Sequence, residues 1–560
     1  MAVLKNGIYR IALVIATVLA ACFFAFALLS CGNESDGGCE KGREPHTFTT
    51  YVYNNDATCT NNGTETALCD VCKKAYFTRA SEDHPMLGHS FVTYTYNNDE
   101  TCISDGTETA KCENCEATDT RTKSNTANAG RHSFVGYTCT LCGEYDSGSP
   151  FTKGLKYTPI YGDGGVVAYS VGMGEATDTV IRIPDTYRFR PVTQIDGAAF
   201  KECGSITSIE IPSSVKSFGS RAFYDCKSLE KVYFSGSIVD WCAMQFTDYF
   251  SNPVNLAHNL YIDNKLVTEI AVPDGVTNIG DYAFSGCDTL TDIELPDSVK
   301  SIGECAFYNC INLVNVNIPD GVTVLETDTF LGCGSLTSIS IPRSVTSIGS
   351  CAFRECWGLK SIEIPDGVTS IERGTFMNCD SLVSVNIPNG VTSIGGSAFY
   401  NCKSLTSVKL PDTVTSIGDC AFFHCRNITE IEIPSGITRI ERQTFGGCTN
   451  LKRIILPAAV TEIGDFAFFG CTSLDSFTIP SSVSKIGSTA FALCYSLSSI
   501  IIPAGVTTVS HSAFLRCDNL TVYCEAEQKP DGWSEKWNND NRPVVWGYKM
   551  HCARTINNRL

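Results

Sequence analysis

Leu382-Val383-Ser384-Val385-Asn386-Ile387-Pro388-Asn389-Gly390-Val391-Thr392-Ser393-Ile394-Gly395 decides the fold of this chain. Leu382, Val385 and Ile387 are apolar, and Ser384 and Asn386 between them are polar. Alternation at period two marks a short strand with one buried face. Pro388 has no N–H to give to a sheet, so the strand ends there. Asn389-Gly390 supplies turn chemistry. Val391 to Ile394 reads as a second short extended stretch, closed by Gly395, and Ala398 and Phe399 return to the core before Cys402 opens the next copy. The predicted unit is strand, turn, strand and tight loop, with room for no more than a single helical turn.

The same wording returns every 23 residues, with its cysteine at Cys287, Cys310, Cys333, Cys356, Cys379, Cys402, Cys425, Cys448, Cys471, Cys494 and Cys517. A phenylalanine precedes each by three residues, from Phe284 to Phe514, and Phe200/Cys203 and Phe223/Cys226 mark two upstream copies. A fixed period of this length means a solenoid, because one unit cannot bury its apolar face alone. Parallel rungs spaced about 4.8 Å would make 13 copies roughly 60 Å long. The predicted fold class is mainly β: a solenoid of 23-residue units with short parallel strands, preceded by small Cys/His modules. The aligned cysteines should form a buried ladder of small apolar side chains. Cys305, Cys351 and Cys420 share a second column, five residues earlier, and read the same way.

These motifs resemble the BspA-like leucine-rich-repeat surface proteins of bacteria, over about 150–550. The resemblance includes the lead-in Gly164 to Tyr169 and Ile183-Pro184-Asp185-Thr186, and the interruption carrying Trp241-Cys242 and Asn259 to Ile262. The ending Val522 to Ala526, Gly532-Trp533 and Val544 to Tyr548 resembles the family's closing cap. The resemblance implies surface-exposed adhesion or protein interaction. The implied layout is a solenoid over 149–520 with an insertion at about 234–268, a cap over 521–552 and a tail over 553–560.

Ahead of the solenoid, 46–148 is a cysteine/histidine region. His46, Cys59, Cys69 and Cys72 are spaced 13, 10 and 3 apart, and His89, Cys102, Cys112 and Cys115 repeat that spacing 43 residues on. His132, with Cys139 and Cys142, opens a shortened copy. Three thiolates and an imidazole, two of the cysteines on a CxxC knuckle, suit tetrahedral structural zinc. Modules this short lack a core and need such a staple. Disulfides are the alternative in an exported protein, but each full module holds an odd number of cysteines. Each site has its histidine either ahead of it or at the start of the next module. The shortened copy, with no histidine after its CxxC, favours the preceding one.

The N-terminus has the layout of an export signal: Lys5 and Arg10, then an uncharged apolar run from Ile11 to Leu29, then polar Gly32 to Asp36. Leu28-Leu29-Ser30-Cys31 resembles a bacterial lipobox, implying a signal over 1–30, a lipid on Cys31 and a linker over 31–45. Cys22 fits the lipobox wording better but would leave Phe23 to Leu29 as a greasy mature end. An uncleaved anchor is the third reading, since the run is long enough to span. The expected location is the bacterial cell envelope, as a surface-exposed lipoprotein of the outer membrane.

The formal charge of −18 argues against a nucleic-acid partner. No phosphate loop, nucleophile elbow or HExxH is present, and His424 and His511 stand at variable loop positions expected to be solvated, so no enzyme is expected. The expected function is an adhesion or interaction scaffold for surface or matrix proteins, held to the membrane by its lipid. The alternative is a structural stalk presenting zinc-stabilised recognition modules. The expected binding face is the outward strand column near Glu430, Glu432, Arg453, Ile455 and Ile501, where Ile455 and Ile501 are apolar at positions that are polar in most copies.

Overall fold

The structure is a computed structural model that describes residues 48–68, 70, 75–83, 85–97, 107–123, 134–135, 137–140, 142–146 and 148–549. It divides into two compact units, one holding the Cys/His modules and one the repeats.

The repeat unit is a mainly-β solenoid of about 16 turns. Turns without the full signature at both ends and in the interruption account for the excess over the 13 repeat cysteines. Each regular turn contributes to two parallel columns. In the first, Ser361–Glu363 pairs with Ser384–Asn386. In the second, Ser370–Ile371 pairs with Ser393–Ile394, and that with Ser416–Ile417. The alternation works as its chemistry requires: Leu382, Val385, Ile387, Val391, Ile394, Ala398, Phe399 and Cys402 are all buried, while Ser384 and Asn386 are exposed. After the proline, Val391 N–H bonds back to Pro388 O at 3.1 Å, closing the corner.

Phenylalanines from Phe284 to Phe514 stack face to face through the core. Successive ring centroids lie 5.3–5.8 Å apart, with planes within 15°. Beside them runs the cysteine column. Cys310, Cys333, Cys356, Cys379, Cys402, Cys425, Cys448, Cys471, Cys494 and Cys517 each donate S–H to the carbonyl of the phenylalanine 26 residues earlier, at 2.9–3.3 Å. The cysteine is therefore a donor between turns as well as a small apolar filler. Cys287, which follows the interruption, departs from the rule: its thiol lies 3.8 Å from Thr289 Oγ1.

Each turn also spends left-handed backbone twice. The residue before the repeat cysteine has positive φ, as in Glu355 (61°), Asn378 (62°) and Gly447 (72°). So does the residue five before it, which places Cys305, Cys351 and Cys420 at φ 54–57°.

The interruption does carry helix. Ile238–Cys242 is capped by Ser237 and Asp240, and Val254–Ala257 follows. Both sheet columns end here and restart beyond it: Lys265–Leu266 turns back antiparallel on Leu260–Ile262 at the edge of one sheet, and Glu269–Ala271 opens another. One backbone bond, Gly280 N–H to Cys242 O at 2.8 Å, and several side chains replace the missing ladder. Trp241 Nε1 donates to Ala283 O at 2.8 Å, Asn252 Nδ2 to Tyr282 O at 2.7 Å, and Ser285 Oγ to Asn255 Oδ1 at 2.6 Å. At the far end Thr521–Cys524 and Val544–Trp546 add parallel strands. Trp537 meets Phe514 edge-on at 6.1 Å and ends the ring stack. The cap thus covers the apolar end that a solenoid otherwise exposes.

In the other unit, β1 (Thr50–Tyr53), β2 (Thr64–Leu68) and β3 (Ala75–Ala80) form an antiparallel sheet, repeated by β4 (Thr95–Tyr96), β5 (Thr107–Lys111) and β6 (Thr118–Thr122). Each sheet is held by the same small set: Arg79 over the Tyr51 ring at 3.6 Å and paired with Glu65, and Arg121 over Tyr94 at 3.7 Å and paired with Glu108. Such contacts are weak when exposed, and among the described residues of this unit the buried apolar side chains are few.

Candidate metal centre and strand face

Cys112 and Cys115 sit on the turn joining β5 to β6, where Asn114 N–H points back at Cys112 Sγ at 3.4 Å. Cys112 N–H bonds to Ala117 O at 2.8 Å and closes the knuckle. Chain 86–90 runs across the loop between β1 and β2: Leu87 N–H bonds to Thr58 O at 2.8 Å, and Met86 N–H to Asn62 Oδ1 at 2.8 Å. That crossing carries His89 to the knuckle and Cys59 with it. The ligand atoms of Cys59, His89, Cys112 and Cys115 lie within 4.8 Å of one another. Cys59 Sγ is 3.4 Å from Cys112 Sγ, and Cys115 Sγ is 3.4 Å from His89 Nδ1. Cys59 and Cys112 are buried, while Cys115 is exposed.

The two buried thiols ionise unequally. Burial raises both, and hydrogen bonding to Cys112 and Cys115 raises Cys59 further. At Cys112 the Asn114 and Ser90 N–H groups and the His89 side chain outweigh burial and bring the thiol below its ordinary value.

This grouping differs from the modular one predicted from spacing. His89, Cys112 and Cys115 come together as expected, but the third sulfur is Cys59 of the preceding module. Cys102, expected in that place, lies outside the described residues, as do His46, Cys69, Cys72, His132, Cys22 and Cys31. Cys139 and Cys142 are both buried and pack together. Among the described residues no helix is long and apolar enough to cross a membrane.

On the solenoid, Glu430, Glu432 and Arg453 are exposed, as is Ile455 at 51%. Ile501 is only half-buried and not freely outward, because the cap strand lies alongside it with Tyr523 as its register partner. His424 is likewise not a solvated side chain. Its Nδ1 is buried without a hydrogen-bond partner, the ring meets Phe423 at 4.2 Å, and burial with Arg426 nearby lowers its pKa. His511 Nδ1 lies 3.1 Å from Ser488 Oγ.

The composition of the strand column did not foretell its interruptions. Ser338–Ser340, Ser407–Lys409 and Ser476–Thr478 drop out of the ladder, leaving single bridges at Lys409 and Thr478. Grooves open there. One of about 830 Å³ is lined by Lys409, Glu430, Glu432, Arg453 and Ile455, and another of about 410 Å³ by Arg453, Ile455, Phe477 and Thr478. A third, of about 770 Å³, lies over the four strand positions from Glu269 to Ser340.

The described family "BspA type Leucine rich repeat region" matches residues 180–262, 254–383, 369–491 and 440–525, in 6 copies. No curated protein sequence matches significantly. Among solved structures, the chain is similar to a leucine-rich repeat protein from Bacteroides ovatus (27% identity, 70% of this chain and 91% of that one, TM-score 0.45). It is similar to a leucine rich cell surface protein from Faecalibacterium prausnitzii (27% identity, 72% and 100%, TM-score 0.40). It is also similar to the pneumococcal vaccine antigen PcpA (18% identity, 71% and 98%, TM-score 0.38). With the repeat signature, its parallel columns and its cap all in register, the chain belongs to the BspA-type leucine-rich-repeat family.

Proposed function

We propose that this protein is a non-catalytic scaffold of the bacterial surface that binds a surface or matrix protein on the strand face of its solenoid, and that a lipid on Cys31 holds it to the outer membrane. The observation that carries the binding reading is the pair of grooves meeting at Arg453 and Ile455. There the half-exposed Ile455 stands opposite Glu432, and Arg453 opposite Glu430, beside strand backbone that has left the ladder. Apolar contact with charged flanks and open backbone donors suits a protein partner more than a small molecule. The family's surface type supports the location. The apolar run before Cys31 and the polar stretch after it support the anchor.

The test is capture of candidate surface and matrix proteins by the full chain and by an Arg453→Ser, Ile455→Thr double variant. The variant is expected to lose at least tenfold in affinity with an unchanged melting temperature. A partner bound equally by both chains overturns the placement. Intact mass of the membrane-extracted protein tests the anchor. An unmodified N-terminus at any position rules out lipidation.

A further inference from the structure

We propose that Cys59, His89, Cys112 and Cys115 form one tetrahedral zinc site that joins the first Cys/His module to the second. The first ground is distance. Zinc–sulfur bonds of about 2.3 Å and zinc–nitrogen bonds of about 2.0 Å put neighbouring ligand atoms about 3.5–3.8 Å apart at the corners of a tetrahedron. The 3.4 Å pairs Cys59–Cys112 and Cys115–His89, inside a cluster no wider than 4.8 Å, have that scale. The sulfur pair is too far apart for a disulfide, whose bond is about 2.05 Å.

The second ground is how the site is built. The Asn114 N–H aimed at Cys112 Sγ holds a thiolate in place without competing for the metal. Two backbone-anchored crossings, Leu87 to Thr58 and Glu113 to Ser90, fix the three donor segments against one another. Three sulfurs and one imidazole around a closed position select zinc over harder cations and leave no open position for catalysis. On binding, the thiols that still carry protons release them to solvent, and the thiolates and imidazole take the four positions.

The third ground is sequence register. Cys59 precedes His89 by 30 residues, and Cys102 precedes His132 by the same 30. Handing its lone cysteine forward frees Cys102 from the second knuckle. By spacing, Cys102 stands before the shortened copy as Cys59 stands before the second. That copy has only His132, Cys139 and Cys142 of its own. The segment it lacks is the one that carries the lone cysteine, which a last copy has no neighbour to receive.

The experiment is alkylation footprinting of the full, reduced, zinc-loaded chain during titration with a chelator, read by peptide mass. Cys59, Cys112 and Cys115 should become reactive at one shared midpoint. Cys115→His should move the midpoints of Cys59 and Cys112 together by tenfold or more, and Cys102→Ser should leave all three unmoved. A Cys59 midpoint independent of Cys115→His overturns the proposal. So does a Cys102→Ser chain in which Cys112 moves, equal protection with and without metal, or recovery of a Cys59–Cys112 disulfide peptide from the reduced, metal-supplied protein. The Cys102→Ser arm keeps the test decisive if the Cys115→His chain does not fold.

Discussion

The thiol of Cys402 donates to the carbonyl oxygen of Phe376 at 3.1 Å, and that oxygen already accepts the N–H of Cys379 at 3.2 Å. The sulfur therefore adds a second bond, between turns, to an acceptor that is satisfied within its own turn. Cys402→Ala should cost about 1–2 kcal/mol, from one lost hydrogen bond and a small void. Cys402→Ser, which keeps a donor, should cost less. Chemical denaturation of the three chains checks the order; an alanine variant as stable as the parent would leave the thiol with no structural share.

Phe399 stands between Phe376 and Phe422, with centroids 5.4 and 5.3 Å away. Phe399→Ala should destabilise by about 3–5 kcal/mol, as removal of buried aromatics generally does. Because turns couple to their neighbours, hydrogen exchange should quicken first in the turns on either side.

Alkaline pH should unfold the solenoid. Burial pushes the thiol of Cys287 up to about 11 and that of Cys448 up to about 12, and it holds Cys310, Cys333, Cys379, Cys425 and Cys471 well above the ordinary value of 9.0. In the unfolded chain these thiols ionise near their ordinary value, so above it the unfolded state binds fewer protons than the folded state. The contribution is complete below about pH 9 and falls as pH rises toward 11–12. Melting temperature against pH should drop steeply across that window, and less steeply in a chain with several of these cysteines changed to serine.

Left-handed positions give a graded test. Gly470, at φ 70°, has room for a methyl group, so Gly470→Ala should cost only the backbone penalty of about 1–2 kcal/mol. At Gly447 a Cβ would come within 2.5 Å of His424 Nδ1, so Gly447→Ala should cost more. Glu202, exposed at φ 61°, should accept glycine with no loss. Thermal melts of the three variants check the ranking.

The solenoid was legible because its information is repeated: alternation around Val385, the stop at Pro388 and the buried Phe399 say the same thing in every copy. What escaped were facts of tertiary contact. Cys59 has the same spacing to Cys69 and Cys72 that Cys102 has to Cys112 and Cys115, so spacing reads it as a ligand of its own module. Only the crossing of Leu87 over Thr58 shows where it goes. A signal existed in the shortened copy, whose donors fall one short. Ile501 reads as outward by alternation because the pattern carries no record of the cap strand beside it. The departures at Ser338, Ser407 and Ser476 have side chains like those of their neighbours, and nothing local marks them.

The stitch at Trp241 has a mechanical consequence. Regular turns are joined by loop bonds such as Phe399 N–H to Ala421 O even where a strand ladder lapses, but across the interruption both strand columns stop, and the joints are Gly280 N–H to Cys242 O and the side chains of Trp241, Asn252 and Asn255. Under tension along the axis, such a molecule yields where its fewest parallel fasteners lie. The Trp241 junction is a shear pin: a chain tethered at one end and loaded at the other would part there first, shedding force while the long stack beyond Glu269, with its capped end, stays folded.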